Sequence, residues 1–163
     1  MIFSILKSLS LGVWLGALLM LGIAVAGPIF QNSPSKTIAG NINAIILSRM
    51  NTLEWICGLI ALISSAILLI VNWQGEWRNI RMIETAMIVV MLVILWVYSS
   101  SISSRMETLR ATIKDFDHPQ QTTEYVEAKS EFDTLHKRYT MLVSANLFLL
   151  AGTFIVSMMT VRR

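Results

Sequence analysis

LSLGVWLGALLMLGIAVAGPIF, residues 9–30, contains no charged side chain and runs long enough to cross a bilayer as a helix. An α-helix rises about 1.5 Å per residue, so about twenty apolar residues cover about 30 Å of hydrocarbon. Three further stretches have the same character, at residues 53–73, 83–103 and 139–161. Their apolar runs are continuous and do not alternate, which excludes strands of a membrane barrel. In lipid each backbone N–H must then bond within its own segment. The expected fold is all-α, a bundle of four transmembrane helices forming a single domain over residues 1–163.

The composition agrees. The chain is 55% hydrophobic and 14% charged, whereas soluble domains carry about a quarter charged residues. The net charge of +3 does not indicate nucleic acid, because the basic residues flank apolar runs and form no stripe interleaved with aromatics. The bilayer is the expected partner. Lys7, the apolar run and Ala24-Val25-Ala26 have the outline of a signal peptide, but the run exceeds the usual core of one. Trp55, Trp73, Trp77 and Tyr139 sit near the ends of the expected spans, where amphipathic rings favour the interface. Trp14 and Trp96 lie deeper, so each indole N–H needs a partner or must face lipid near a headgroup. Cys57 is the only cysteine, which excludes an intrachain disulfide.

Four spans place both termini on one side with the short 74–82 connection. The other side receives the long connections 31–52 and 104–138. Ser33-Pro34-Ser35 looks like a helix start with Ser33 as N-cap. Ile42, Ile46, Met50, Leu53 and Cys57 then continue one helical face into the second span. Met106, Leu109, Ile113 and Phe116 form a second seam; Tyr125, Ala128, Phe132, Leu135 and Tyr139 form a third. Helices 2, 3 and 4 are therefore expected to extend beyond the bilayer on the side opposite the termini. The extended third and fourth helices would form a projecting hairpin over about 104–138, closed near Pro119, with the second helix leaning on it. A protein partner would dock on that hairpin. Lys7, Arg78, Arg81, Arg162 and Arg163 are dense on the terminal side, whereas eight Lys/Arg are spread over the long connections. Density favours termini in the cytoplasm, whereas the raw count opposes it; the expected location is a bacterial inner membrane with cytoplasmic termini.

In lipid, helices associate through close contact and polar bonds. Gly12-x-x-x-Gly16 and Gly22-x-x-x-Ala26 supply small residues for packing within the bundle. Glu54, near a hydrocarbon boundary, is a functional candidate because burying an unpaired ionisable group costs several kcal/mol. Asn51, His136 and Arg105 meet the same interface, and Asn146 should point into the bundle. These five residues form the candidate polar site. His136 titrates near neutrality, and with Met50, Met106 and Met141 it makes a thioether and imidazole set of the kind that holds Cu(I). Ser64 and Ser65 are expected to bond back to their own helix. No nucleophile elbow, HExxH, P-loop, dinucleotide fingerprint or CxxC occurs, so nothing supports an enzyme.

Trp14-Leu15-Gly16, Ala26-Gly27-Pro28-Ile29-Phe30, Phe132-Asp133-Thr134-Leu135-His136 and Asn146 together resemble the transmembrane protein 205-like family, a domain of unknown function. That family is similar to copper-resistance protein D-like membrane proteins. The resemblance implies a four-helix membrane bundle and, more loosely, copper handling or a link to haem synthesis. No histidine falls inside an expected span, so the haem ligation of such relatives has no counterpart here. Three functions compete: transport or metal handling through a cavity reaching Glu54 or His136; a tightly packed scaffold or assembly factor without a cavity; and a haem or quinone redox protein.

Overall fold

A computed structural model describes residues 1–161, with no side-chain detail for the last of these. Arg162 and Arg163, which entered the charge argument, lie outside the described residues. Four helices are long and apolar enough to cross a membrane: α1 (Ile2–Asn32), α2 (Lys36–Val71), α3 (Arg78–Ile113) and α4 (Thr123–Val161). No strand occurs among the described residues. The chain is an integral, multi-pass membrane protein. Each helix packs on the next, and α4 closes the ring against α1.

Composition dictates which face turns inward. Leu11, Trp14, Ile88, Met91, Leu95, Tyr98 and Leu150 are fully buried and form the bundle centre. Val93, Trp96, Phe148 and Ile155 are exposed along the outside, where a lipid solvent leaves them no reason to hide. Trp96 thus takes the lipid-facing alternative and Trp14 the partnered one.

Two helices contain a widened π turn. In α1 it covers Leu21–Val25, just before Pro28. A proline ring clashes with the carbonyl four residues back, here that of Ala24, and the wider turn accommodates it. In α3 it covers Val97–Ile102, and the Ser103 hydroxyl bonds the Tyr98 carbonyl at 2.9 Å.

The start of α2 corrects the sequence expectation. Ser33 ends α1 in extended backbone, and the N-cap is Ser35, whose hydroxyl accepts from Ile38 N at 3.1 Å. Pro34 precedes the cap. Two further N–H groups, those of Lys36 and Thr37, donate to the Asp117 carboxylate at 2.7 and 3.1 Å. Asp117 lies in the α3–α4 connection, so the N-terminus of α2 is tied to the tip of the neighbouring hairpin. Orphan donors and the helix dipole both favour an anion there.

The tip itself is tightly wound. Lys114 has φ 56° and ψ −50°, and Asp115 N donates to Ile113 O at 2.6 Å. This is a γ-turn of the rarer, strained hand. Thr37 helps hold it, accepting from Phe116 N at 2.9 Å. Below it, Leu109, Ile113, Tyr125 and Ala128 bury one another, with Phe116, Phe132 and Leu135 alongside. The seams on α3 and α4 therefore meet. By contrast α2 does not lean along the hairpin. It touches the tip and stands apart below, leaving Ile42 41% exposed.

Hydrogen bonds from Lys36 and Thr37 pull the Asp117 carboxyl down to about 2. A carboxylate held below its unfolded value contributes fully above the ordinary range near 4, and that contribution is lost as pH falls through about 2. The distance between spin labels on α2 and on the tip should therefore hold steady from neutrality to about pH 4 and widen only in stronger acid. In Asp117→Asn the distribution should already be broad at neutral pH. Identical distributions in both proteins at every pH would show that the tie does not form.

Candidate functional site

Glu54 lies on the inward face of α2 and is 1% exposed. Its position follows from the helical spacing that places Cys57, Gly58 and Ala61 on the same buried face. One carboxylate oxygen, Oε2, accepts from the Trp14 indole Nε1 of α1 at 2.7 Å and from the Tyr98 hydroxyl of α3 in a very short bond. Asn146 of α4 donates to the Tyr98 oxygen at 3.4 Å. All four helices thus contribute to one network, and Trp14, Tyr98 and Asn146 are each 0% exposed. Among the described residues no Lys, Arg or His is paired with Glu54. The Asn146 oxygen Oδ1 is buried without a partner. It is an acceptor waiting for a donor, as a buried amide oxygen is rarely left bare.

The network connects upward. The Tyr139 ring meets the Tyr98 ring edge-on, 5.3 Å between centroids, and its hydroxyl donates to Asn51 Oδ1 at 3.3 Å. Asn51 and Tyr139 also line a cleft of about 1090 Å³ between α2 and α3. Trp55 stands at the same level, its indole reaching Ser99 Oγ at 3.3 Å. The π turn carrying Tyr98 also carries Ser99 and Ser100 on the cleft wall. Such turns often occur at functional sites.

Of the five polar candidates, the structure joins Glu54, Asn146 and Asn51 through the two tyrosines. Arg105 and His136 stand elsewhere. Arg105 makes a two-pronged pair with Glu131 on the surface, at 2.7 and 2.8 Å. That pairing holds the Glu131 carboxyl below its usual range. His136 is exposed on α4 and stacks on Phe132, 6.3 Å between centroids. Of the proposed sulfur ligands, Met106 is buried on the cleft wall, Met50 is half-buried, and Met141 is 64% exposed. Among the described residues no three His, Cys, Asp or Glu side chains assemble as a metal site.

The small-residue stripe also divides. A Cβ on Gly12 would lie 3.3 Å from the Phe154 ring, so this glycine does admit a neighbour. Gly16 and Gly22 face outward with open space beside them, and Ala26 is half-buried. The closest approach falls at Gly58, where a Cβ would lie 2.5 Å from a Leu92 methyl and 3.1 Å from the Trp14 ring. Gly58→Ala should push the indole away from Glu54 and destabilise the bundle by about 1–3 kcal/mol, the usual cost of overpacking. Unfolding in mixed micelles measures the loss, and a blue shift of the Trp14 emission should accompany it. A variant as stable as the parent would show that the contact is loose.

Sequence reasoning overlooked a second buried pair. Lys7 Nζ of α1 lies 2.6 Å from Glu84 Oε1 of α3, with the two side chains 1% and 0% exposed. The signal was Glu84 itself, an acid inside an expected span, which demands a partner. Nearby, Ser65 and Thr85 join α2 to α3 at 2.7 Å, and Ser8 and Ser157 join α1 to α4 at 3.2 Å. Ser65 therefore bonds across helices and not back along its own.

A family model described as a domain of unknown function (DUF4149) matches residues 9–114. The matched segment takes in Trp14, Glu54 and Tyr98 and both walls of the cleft, and it ends before α4. No curated protein and no solved structure matches the chain.

Proposed function

The chain belongs to the DUF4149 family, a domain of unknown function, and we propose that it is a small membrane carrier, in which the cleft admits a polar cargo and Glu54 binds it or its counter-proton. The observation that carries this reading is a carboxyl group bonded from α1 and α3 beneath a cleft whose floor, Asn51 and Tyr139, adjoins the same network. An ionisable group at membrane depth is costly, and a site of exchange is the common reason for one. A tightly packed scaffold would have no use for the cleft. The unpartnered Asn146 oxygen adds an acceptor at the same place.

A placement in the bilayer supports this arrangement. A helix of 36 residues such as α2 is about 54 Å long against about 30 Å of hydrocarbon. With the apolar segments in lipid, α2, α3 and α4 project on the side opposite the termini and carry the cleft with them. Its lower end then sits at the hydrocarbon boundary and Glu54 just beneath. The density of basic residues on the terminal side favours cytoplasmic termini, in keeping with a bacterial inner membrane as the proposed location. The transmembrane protein 205-like resemblance is consistent with this architecture. Copper handling draws less support, since His136 stands away from the network.

Proteoliposomes holding a pH-sensitive dye test the proposal. After an imposed pH step, vesicles with the protein should equilibrate faster than protein-free ones, and Glu54→Gln should slow the excess rate by about tenfold or more, as expected when a proton carrier loses its acid. Rates equal to those of protein-free vesicles would overturn it.

A further inference from the structure

The cleft has chemistry of its own, distinct from the carboxyl group below it. Three cations line it, Arg49, Arg110 and Lys114, against a single acid, Glu107. Arg110 is the telling one. Its Nε is buried and has no hydrogen-bond partner among the described residues. Its guanidinium lies over the Phe132 ring at 5.9 Å, a contact that satisfies charge but no N–H. Burial holds Arg110 below its ordinary range, with Glu107 only partly offsetting that effect. Arg105, five residues earlier on the same helix, shows the satisfied alternative, both prongs on Glu131. A guanidinium is a planar fork made for carboxylate or phosphate oxygens.

Serine hydroxyls line the same α3 wall as the Arg110 fork. Ser103 and Ser104 face the cleft, and both lie on the α3 turn that follows the π segment. The Ser104 hydroxyl can donate to an anionic oxygen and adds no charge, whereas that of Ser103 is already given to the Tyr98 carbonyl. Ala44, Ile45, Leu47 and Trp55 add apolar surface on the α2 wall. The cleft therefore combines cations with apolar surface, and its volume of about 1090 Å³ exceeds what an inorganic anion alone would fill.

We propose that this cleft binds the anionic headgroup, phosphate or carboxylate, of a membrane amphiphile, with Arg110 as its principal contact and the apolar chain leaving past Trp55. The assignment rests on the carrier reading only in taking the cleft as the cargo's entry.

Purified full-length protein in phosphatidylcholine nanodiscs provides the test, with Trp55 fluorescence as readout. The probes are dihexanoyl phosphatidylglycerol, dihexanoyl phosphatidylcholine and inorganic phosphate. The anionic lipid should bind about tenfold or more tightly than the zwitterionic one, and Arg110→Gln should remove that preference. Should Arg110→Gln fail to fold, the Arg49→Gln/Lys114→Gln variant must show a reduced preference. Equal binding of both lipids would overturn the proposal. Inorganic phosphate competing as well as the anionic lipid would overturn the amphiphile and leave a free anion as ligand. Lipid preference without proton flux would contradict the carrier alone, and flux without preference would contradict the lipid site alone.

Discussion

Lys7→Met is expected to destabilise the bundle by about 3–5 kcal/mol, the usual consequence of stranding one member of a buried ion pair. Apart from Lys7, no donor reaches either carboxylate oxygen of Glu84 among the described residues. Removing the ammonium group therefore leaves an acid that is 0% exposed with nothing to balance it. Methionine matches the length of the lysine stem, so lost packing contributes little. The double variant Lys7→Met/Glu84→Met should recover most of the loss, because two apolar side chains need no partner in a lipid-facing bundle. Unfolding in mixed micelles, arranged as a double-mutant cycle, separates the pair's coupling from the single effects. A single variant within about 1 kcal/mol of the parent would mean that Lys7 reaches headgroup water and that the pair does not form in a bilayer.

Glu54→Leu should have a comparable effect for a different reason. The Trp14 N–H and Tyr98 O–H both point at Oε2 and have no water to turn to. Each stranded donor costs about 1–3 kcal/mol, so the two together cost about 2–6 kcal/mol. Glu54→Gln keeps an acceptor oxygen in nearly the same place and should stay within about 1.5 kcal/mol of the parent. The contrast matters for function. A glutamine variant that folds like the parent yet loses proton flux separates chemistry from stability, whereas a leucine variant confounds them. If leucine is tolerated as well as glutamine in the same unfolding measurement, the two donors have other partners and the network is not organised around this carboxyl.

The sequence made the spans plain because lipid imposes a crude constraint that composition alone satisfies. It also turned Asn146 inward and marked Glu54 as a functional candidate, while leaving Trp14 either partnered or facing lipid. What it did not show was the hub between them. Tyr98 reaches Glu54 from a widened turn, and a π turn changes the register of a helical face without a sequence signal as strong as proline. The Gly58 contact was equally hidden, since a glycine acquires meaning only when a neighbour's ring approaches it. The small-residue stripe drew attention to Gly16 and Gly22, which face outward. His136 and Arg105 were grouped with Glu54 by their height along the axis. Rotation about each helix decided otherwise, sending one to the surface and the other to Glu131. Ser33 was favoured as the N-cap because Pro34 follows it, but the cap falls one turn-forming residue beyond the proline, where Asp117 from a distant connection supplies the remaining acceptor.

The bond between Trp14 and Glu54 is the point on which the account turns. Solid-state NMR in lipid bilayers, with indole ¹⁵N and glutamate ¹³Cδ labels, measures it through dipolar dephasing. The expected result is a contact consistent with the 2.7 Å hydrogen bond, present in the parent and absent in both Trp14→Phe and Glu54→Gln with unlabelled glutamine. A parent spectrum without that dephasing would place the carboxyl away from the indole and contradict the site.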